Sequence, residues 1–169
     1  LAWLLDPLAP HDYGYRFLSC FLRKIECETV LENEPFIYNV EQEVSHPSCR
    51  ADIVLYSDKF TLIIENKVHG GKDEPKQADR IHKDFKDKIN PIFVYITPGG
   101  GKPSSATLAA ANSFYTLRWI DIYDCLQETM KNYETRNDPS NFKEYSPQNY
   151  FSQSTAHSYL RSLEKEFGE

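Results

Sequence analysis

Apolar residues recur at two different spacings along the chain, and these spacings predict where helices and strands form. In two segments they recur at every third or fourth position, which places them on one face of a helix. The first segment spans residues 14–27 and contains Phe17, Leu18, Phe21, Leu22 and Ile25. The second lies near the C terminus and contains Ala156, Tyr159, Leu160, Leu163 and Phe167. We therefore predict an amphipathic helix in each segment.

Two segments after the first helix have the pattern of strands joined by a turn. Apolar residues alternate with polar ones in residues 36–44, as in a strand with one buried face. Residues 51–56 form a second, shorter run. The turn-forming sequence His46-Pro47-Ser48 separates the two, so we predict an antiparallel hairpin.

Two further segments are apolar on both faces, which is typical of strands inside a sheet. They are residues 60–64, which we place at the centre of the sheet, and residues 92–96, which follow Pro91. A helix is predicted between them, because one of its faces carries Ala78, Ile81, Phe85 and Ile89. Residues 115–122 are predicted to form an edge strand that leads into a helix running through Met130.

The predicted element order is helix, three strands, helix, strand, with further elements after it. This order predicts an α/β (α+β) mixed sheet flanked by helices. A length of 169 residues fits one domain, and we expect a C-terminal helical extension over about residues 123–169. The polar segment 132–149 is predicted to be a loop. Because the chain begins at Leu1 inside an apolar stretch, we expect a preceding segment to have been trimmed.

Three charged residues lie next to predicted buried strands. Asp52 precedes the apolar run of the second strand, and Glu65 and Lys67 follow that of the third. Because strand side chains alternate, Glu65 and Lys67 point to one face of the sheet and Asn66 points to the other. An unpaired charge is costly in such a place, so these residues need each other, a metal ion or a substrate.

The spacing of Glu65 and Lys67 is not distinctive by itself. An acid two residues before a lysine also occurs at 74–76 and at 84–86, in a polar loop and on a charged helix face. Only the triplet at 65–67 follows an apolar strand and has an acid, Asp52, on the preceding strand. From the residues alone, a metal site and a structural ion pair at a strand end both remain open.

Charge and cysteine content restrict the classes of function. With 25 acidic and 19 basic residues the chain carries a net charge of −6, which argues against indiscriminate binding to phosphate backbones. The window 67–88 is locally basic, with seven basic and five acidic residues. Four cysteines lack the spacing of a zinc site, and no apolar run approaches the ~20 residues of a membrane span. We therefore expect reduced thiols in a cytoplasmic protein that does not enter a membrane.

Two strand motifs carry a resemblance to a known family. They are Arg50-Ala51-Asp52-Ile53-Val54-Leu55 and Ile63-Ile64-Glu65-Asn66-Lys67. These motifs resemble the PD-(D/E)XK nuclease superfamily. The opening LAWLLDP and the segment VYITPG at 94–99 are similar to a prokaryotic and phage group within it, so the resemblance covers roughly residues 1–122. It implies a restriction-endonuclease-like fold with the core order αβββαβ.

The resemblance implies a divalent-metal-dependent phosphodiesterase. Asp52, Glu65 and the backbone carbonyl of Asn66 would hold Mg²⁺, with Mn²⁺ as a possible substitute, because hard oxygen donors suit these ions. A water activated by the metal would attack the phosphorus atom. Lys67 would orient that water and stabilise the developing negative charge.

The resemblance also implies an auxiliary catalytic role for Gln77. Other members of the superfamily carry a glutamine on the helix after this strand, often with a tyrosine four residues later, where this chain has Ile81. A surface residue at a helix N terminus is an equally good interpretation of Gln77. A glutamate that is common on the first helix of the family would precede Leu1.

Four further residues are weaker candidates. Glu43 fits a solvated strand face better than the site, and His11 fits a turn. His69 fits an exposed loop, while Arg50 would either pair with a carboxylate or contact the substrate.

The function implied is hydrolysis of phosphodiester bonds in DNA. Two alternatives stay open, namely an RNA substrate and a catalytically silent module that binds nucleic acid or protein. Retention of Asp52, Glu65 and Lys67 argues against the silent module. Because the chain is acidic, we expect a dimer partner or an additional domain to help recruit the substrate, as in phage-defence or restriction-like systems, by analogy alone.

Overall fold

Five strands form one mixed sheet in the spatial order β1-β2-β3-β4-β5. The computed structural model describes residues 1–32, 35–68, 75–136 and 147–167. The strands are β1 (Ile37–Ser45), β2 (Arg50–Ser57), β3 (Thr61–Asn66), β4 (Pro91–Thr97) and β5 (Phe114–Arg118). The helices are α1 (Ala2–Leu5), α2 (Arg16–Lys24), α3 (Gln77–Phe85), α4 (Leu108–Ser113), α5 (Trp119–Arg136) and α6 (Pro147–Phe167), and a 3₁₀ helix spans Glu28–Leu31.

The central strand is β3, as predicted. It is antiparallel to β2, with Val54 opposite Ile63, and parallel to β4, with Glu65 in register with Tyr95. The predicted hairpin of β1 and β2 is also confirmed. Because β3 has a partner on each side and helices on both faces, its residues from Thr61 to Glu65 are buried.

Side chains alternate along β3, so each face of the sheet has its own hydrophobic cluster. Leu62 and Ile64 belong to the larger cluster, which includes buried residues of α2, α5 and α6. Ile63 belongs to a smaller cluster, which includes Ala78 and Ile81 of α3. The face with the smaller cluster is the one that carries the candidate site.

Several predicted boundaries need correction. Ile89 is 52% exposed rather than buried, because α3 ends at Phe85. The predicted strand 115–122 is shorter, since α5 begins at Trp119, where the Asp121 carboxylate accepts a hydrogen bond from the Arg118 backbone N–H.

Helices also replace parts of two segments that looked polar or irregular. The sequence did not indicate α4, whose start is capped by the side chain of Thr107. The predicted loop 132–149 is wrong at both ends, since α5 continues to Arg136 and α6 begins at Pro147. Its remaining residues, 137–146, lie outside the described parts of the chain.

The predicted α/β mixed sheet flanked by helices, with the core order αβββαβ, is confirmed. None of the helices in the described ranges is long and apolar enough to cross a lipid bilayer.

Candidate active site

The predicted site residues come from three elements that meet on the α3 face of the sheet. Asp52 lies in β2, Glu65 lies near the end of β3, and Lys67 follows that strand. Gln77 is the first residue of α3. Because β2 and β3 are hydrogen-bonded neighbours and α3 packs over them, four residues spread over 26 positions of the chain lie together.

Glu65, Lys67 and Gln77 form a closed set of hydrogen bonds. The Lys67 Nζ donates to Glu65 Oε1 at 2.6 Å and to Gln77 Oε1 at 2.9 Å. The Gln77 Nε2 donates to the same Glu65 Oε1 at 2.7 Å. The predicted common face of Glu65 and Lys67 is therefore confirmed, and Gln77 is not merely a surface residue at a helix N terminus.

Asp52 is fixed by the backbone of the neighbouring strand. Its Oδ2 accepts a hydrogen bond from the backbone N–H of Asn66 at 2.7 Å. The carboxylate of Asp52 is thus tied to the residue whose carbonyl the family resemblance implies as a metal ligand. That role of the Asn66 carbonyl stays a prediction.

Burial raises the pKa of both carboxyl groups. Glu65 is only 2% exposed, and desolvation, with the nearby charge of Asp52 adding to it, raises its pKa to about 7 despite the hydrogen bonds from Lys67 and Gln77. Desolvation also raises the pKa of Asp52, although the Asn66 N–H opposes this shift. Two acids whose charges are disfavoured in this way gain from a positive ion placed between them.

One oxygen of Glu65 indicates where such an ion would bind. Glu65 Oε2 is buried and has no hydrogen-bond partner among the described residues, while Oε1 receives two donors. A buried carboxylate oxygen without a partner is costly, and a metal ion would satisfy it. Among the residues that the structure describes, no three His, Cys, Asp or Glu side chains lie together as metal ligands. Two carboxylates with a backbone carbonyl suit Mg²⁺, which usually keeps several waters.

The backbone of Lys67 is held although the residue lies beyond the end of β3. Its N–H donates to the Ile96 carbonyl at 2.8 Å. Its carbonyl accepts a hydrogen bond from the indole Nε1 of Trp119 at 3.1 Å. Sequence reasoning missed Trp119, because no motif links the start of α5 to a residue 52 positions earlier.

The weaker candidates have structural surroundings of their own. Glu43 lies across from Asp52 between the paired positions of β1 and β2, but it forms an ion pair with Arg50 at 2.6 Å and both are largely exposed. Arg50 therefore pairs with a carboxylate. His11 is buried in a turn, where its Nδ1 accepts a hydrogen bond from the Tyr13 N–H. His69 lies outside the described residues.

The four cysteines do not form a metal centre. All four are free thiols, and Cys20 and Cys125 are buried. Cys49 lies on the α3 face of the sheet, where its Sγ donates a hydrogen bond to Asp84 Oδ2 at 3.4 Å. The free thiols agree with the expectation of reduced cysteines.

Comparison with known proteins identifies the family of the chain. A model of the PD-(D/E)XK nuclease superfamily matches residues 1–146, and this range ends immediately before α6 begins. A search of curated proteins and a search of solved structures each returned no match. The family match covers more than four-fifths of the chain and includes Asp52, Glu65 and Lys67. The chain therefore belongs to the PD-(D/E)XK nuclease superfamily.

Proposed function

We propose that the protein is a metal-dependent nuclease that hydrolyses phosphodiester bonds in DNA, with Mg²⁺ as its ion. The observation that carries the proposal is the buried Oε2 of Glu65, which has no hydrogen-bond partner in the described parts of the chain. It belongs to a carboxylate close enough to Asp52 for their charges to interact. Membership of a nuclease superfamily supports the same chemistry.

Asp52, Glu65 and the carbonyl of Asn66 would hold the divalent ion. When bound, Mg²⁺ or Mn²⁺ supplies a Lewis acid that makes water more acidic and offsets negative charge on the phosphate. The hydrogen bond from Asn66 to Asp52 Oδ2 keeps that carboxylate oriented. Its other oxygen, Oδ1, remains for the ion, as does Oε2 of Glu65.

Lys67 would act on the water and the phosphate. An ammonium has three N–H donors. Two of those of Lys67 bond to Glu65 and Gln77. The third donor is left to orient the attacking water or to bond to a phosphate oxygen as negative charge develops. A lysine suits this task because its charge is compact.

Gln77 would position Lys67 rather than react itself. Its amide accepts from the ammonium and donates to Glu65, so it sets the distance between the two. Arg80 and Lys83 follow Gln77 on α3 and add positive charge to the helix that carries Gln77. Because the whole chain carries −6, we further propose that a dimer partner or another domain assists substrate recruitment.

The test is a cleavage assay with plasmid DNA, single-stranded DNA and RNA in Mg²⁺, Mn²⁺ or EDTA. We expect cleavage of DNA with either ion, none with EDTA, and at least a hundredfold lower rate for Lys67→Ala. Lys59→Ala is the matched control, because the Lys59 side chain is exposed and forms an ion pair with its neighbour Asp58. Cleavage of RNA alone would show that the substrate is RNA and not DNA. Equal cleavage by wild type and Lys67→Ala would contradict the nuclease site.

A further inference from the structure

The position of Lys67 depends on the far side of the sheet as well as on the site itself. Its side chain lies on the α3 face, where it bonds to Glu65 and Gln77. Its carbonyl bonds to Trp119, which is 4% exposed and belongs to the larger cluster on the other face. The indole N–H therefore connects the proposed catalytic lysine to the main core of the protein.

The indole of Trp119 is in turn held by α6. Its ring stacks on Phe167, with centroids 5.5 Å apart and planes inclined by 10°. A cavity of about 290 Å³ lies beside the two rings and is lined by Val68, Tyr159 and Leu163 among others. Because this cavity leaves room for movement, loss of the Phe167 ring would free the indole to turn away from the Lys67 carbonyl.

The stacking residue belongs to a helix outside the family match. The match ends at residue 146, and α6 spans Pro147–Phe167. Ala156 and Leu163 of α6 are buried in the larger cluster, so the helix is packed in place rather than loosely attached. Part of the support for Lys67 is thus supplied by a segment that the matched family region does not include.

We infer that Trp119 is a positioning residue for Lys67, and that Phe167 of α6 holds Trp119 in the orientation that this requires. The inference rests on the proposed role of Lys67 in phosphodiester cleavage. The ammonium of Lys67 is attached to this backbone through its side chain and is held at hydrogen-bond distance from Glu65 and Gln77, so a shift of the backbone pulls it away from Glu65 and the phosphate. Small displacements of this kind lower the turnover rate without changing what the protein binds.

The test compares Trp119→Phe with Trp3→Phe in the full-length protein. Phenylalanine keeps an aromatic ring against Phe167 but removes the indole N–H. Trp3, whose ring contacts His11, provides the same change away from Lys67. We expect kcat for DNA cleavage to fall about tenfold in Trp119→Phe, with KM, the Mg²⁺ dependence and the melting temperature close to those of Trp3→Phe.

Phe167 provides a second, independent measurement. Phe167→Ala is expected to lower kcat several-fold, and Phe167→Tyr to retain it because the stacked ring remains. Since Phe167 acts through the indole N–H, adding Phe167→Ala to Trp119→Phe should lower kcat no further. If Trp119→Phe does not fold, the comparison of Phe167→Ala with Phe167→Tyr carries the test.

The outcomes separate this inference from the proposed function. A wild-type protein that cleaves no nucleic acid contradicts the proposed function. A wild type that cleaves DNA, together with an inactive Lys67→Ala and a Trp119→Phe that matches Trp3→Phe in kcat, overturns the positioning role alone. Equal losses of kcat in Phe167→Ala and Phe167→Tyr would overturn the role of α6.

Discussion

Gln77 accepts a hydrogen bond from the Lys67 ammonium at 2.9 Å and donates one to Glu65 at 2.7 Å. The first residue of α3 therefore fixes the geometry of two residues at the end of β3. Without the amide, Lys67 would be oriented by Glu65 alone, and Oε1 of Glu65 would lose one of its two donors. The amide thus joins the helix to the proposed catalytic pair.

We predict that Gln77→Ala lowers the rate of DNA cleavage about tenfold without abolishing it. The reason is that the ammonium keeps its bond to Glu65 but loses one hydrogen bond, worth about 1 kcal/mol, and with it a fixed position. Steady-state cleavage rates with saturating Mg²⁺ measure the effect. Gln127→Ala is the control, because Gln127 is exposed and its amide donates a hydrogen bond to the Tyr123 hydroxyl on the same helix. An unchanged rate in Gln77→Ala would remove Gln77 from the site.

We predict that Glu65 makes the metal-free protein less stable as the pH rises from about 4.5 to 7. Its pKa is raised from 4.5 to about 7 in the folded state, so the folded protein binds the proton more tightly than the unfolded chain. Stability is then lost across this window and stays lower above it, by on the order of 3 kcal/mol.

Glu65→Gln cannot ionise and should not show that loss. Urea unfolding in EDTA at pH 4.5, 6 and 8 measures the difference, with Glu28→Gln as the control because Glu28 is exposed. If the free energies of unfolding of wild type and Glu65→Gln changed in parallel over this range, the burial penalty on Glu65 would be refuted.

We predict that Mg²⁺ binding releases protons near pH 6. A carboxyl group must lose its proton to coordinate the ion, and the pKa of Glu65 of about 7 leaves most of that group protonated at pH 6. The affinity for Mg²⁺ should therefore be about tenfold weaker at pH 6 than at pH 8. Calorimetric titration in buffers of different ionisation enthalpy measures both the affinity and the released protons, and Asp52→Asn should bind the ion weakly at either pH. Equal affinity at both pH values would argue against Glu65 as a ligand.

We predict that Gly100→Ala destabilises the fold by about 1–2 kcal/mol. Gly100 has a φ of +71°, which other L-residues adopt with difficulty, and an added Cβ would lie 2.7 Å from Cγ of Arg118. Arg118 is held by its ion pair with Asp121, so its side chain cannot move freely. Gly101→Ala is the matched control, since a Cβ there would contact nothing within 4 Å. The melting temperatures of the two variants should differ, and equal values would contradict the steric explanation.

The fold could be predicted largely because its hydrophobic periods are strong. The apolar run of β3 and the stripe of α2 each have a single structural interpretation, and the structure confirms both. The alternation at 36–44 predicts the strand β1 correctly but not its buried face, since Phe36 and Tyr38 are exposed. Predictions failed where a local polar contact decides the boundary. Thr107 caps α4 and Asp121 accepts the Arg118 N–H at the start of α5, and neither contact has a periodic signal in the sequence.

The candidate site, like the fold, has features that the sequence predicts and contacts that it does not. The common face of Glu65 and Lys67 follows from strand geometry, so it could be predicted from their spacing. The hydrogen bonds that link Gln77 to Lys67 and Glu65 depend on how α3 docks, and the hydrogen bond from Trp119 to the Lys67 carbonyl spans 52 positions. Contacts of this kind are set by tertiary packing, which a sequence pattern of short range does not record.

The unequal hydrophobic clusters on the two faces of the sheet have a consequence for motion. Because α3 rests on the smaller cluster, separating it from the sheet exposes less apolar surface than separating α2 or α5 does. Backbone amides of α3 should thus exchange with deuterium sooner than those of α2. If the protein is the nuclease proposed above, the helix that carries Gln77 is the element best suited to move aside for a nucleic-acid strand while the rest of the fold stays closed.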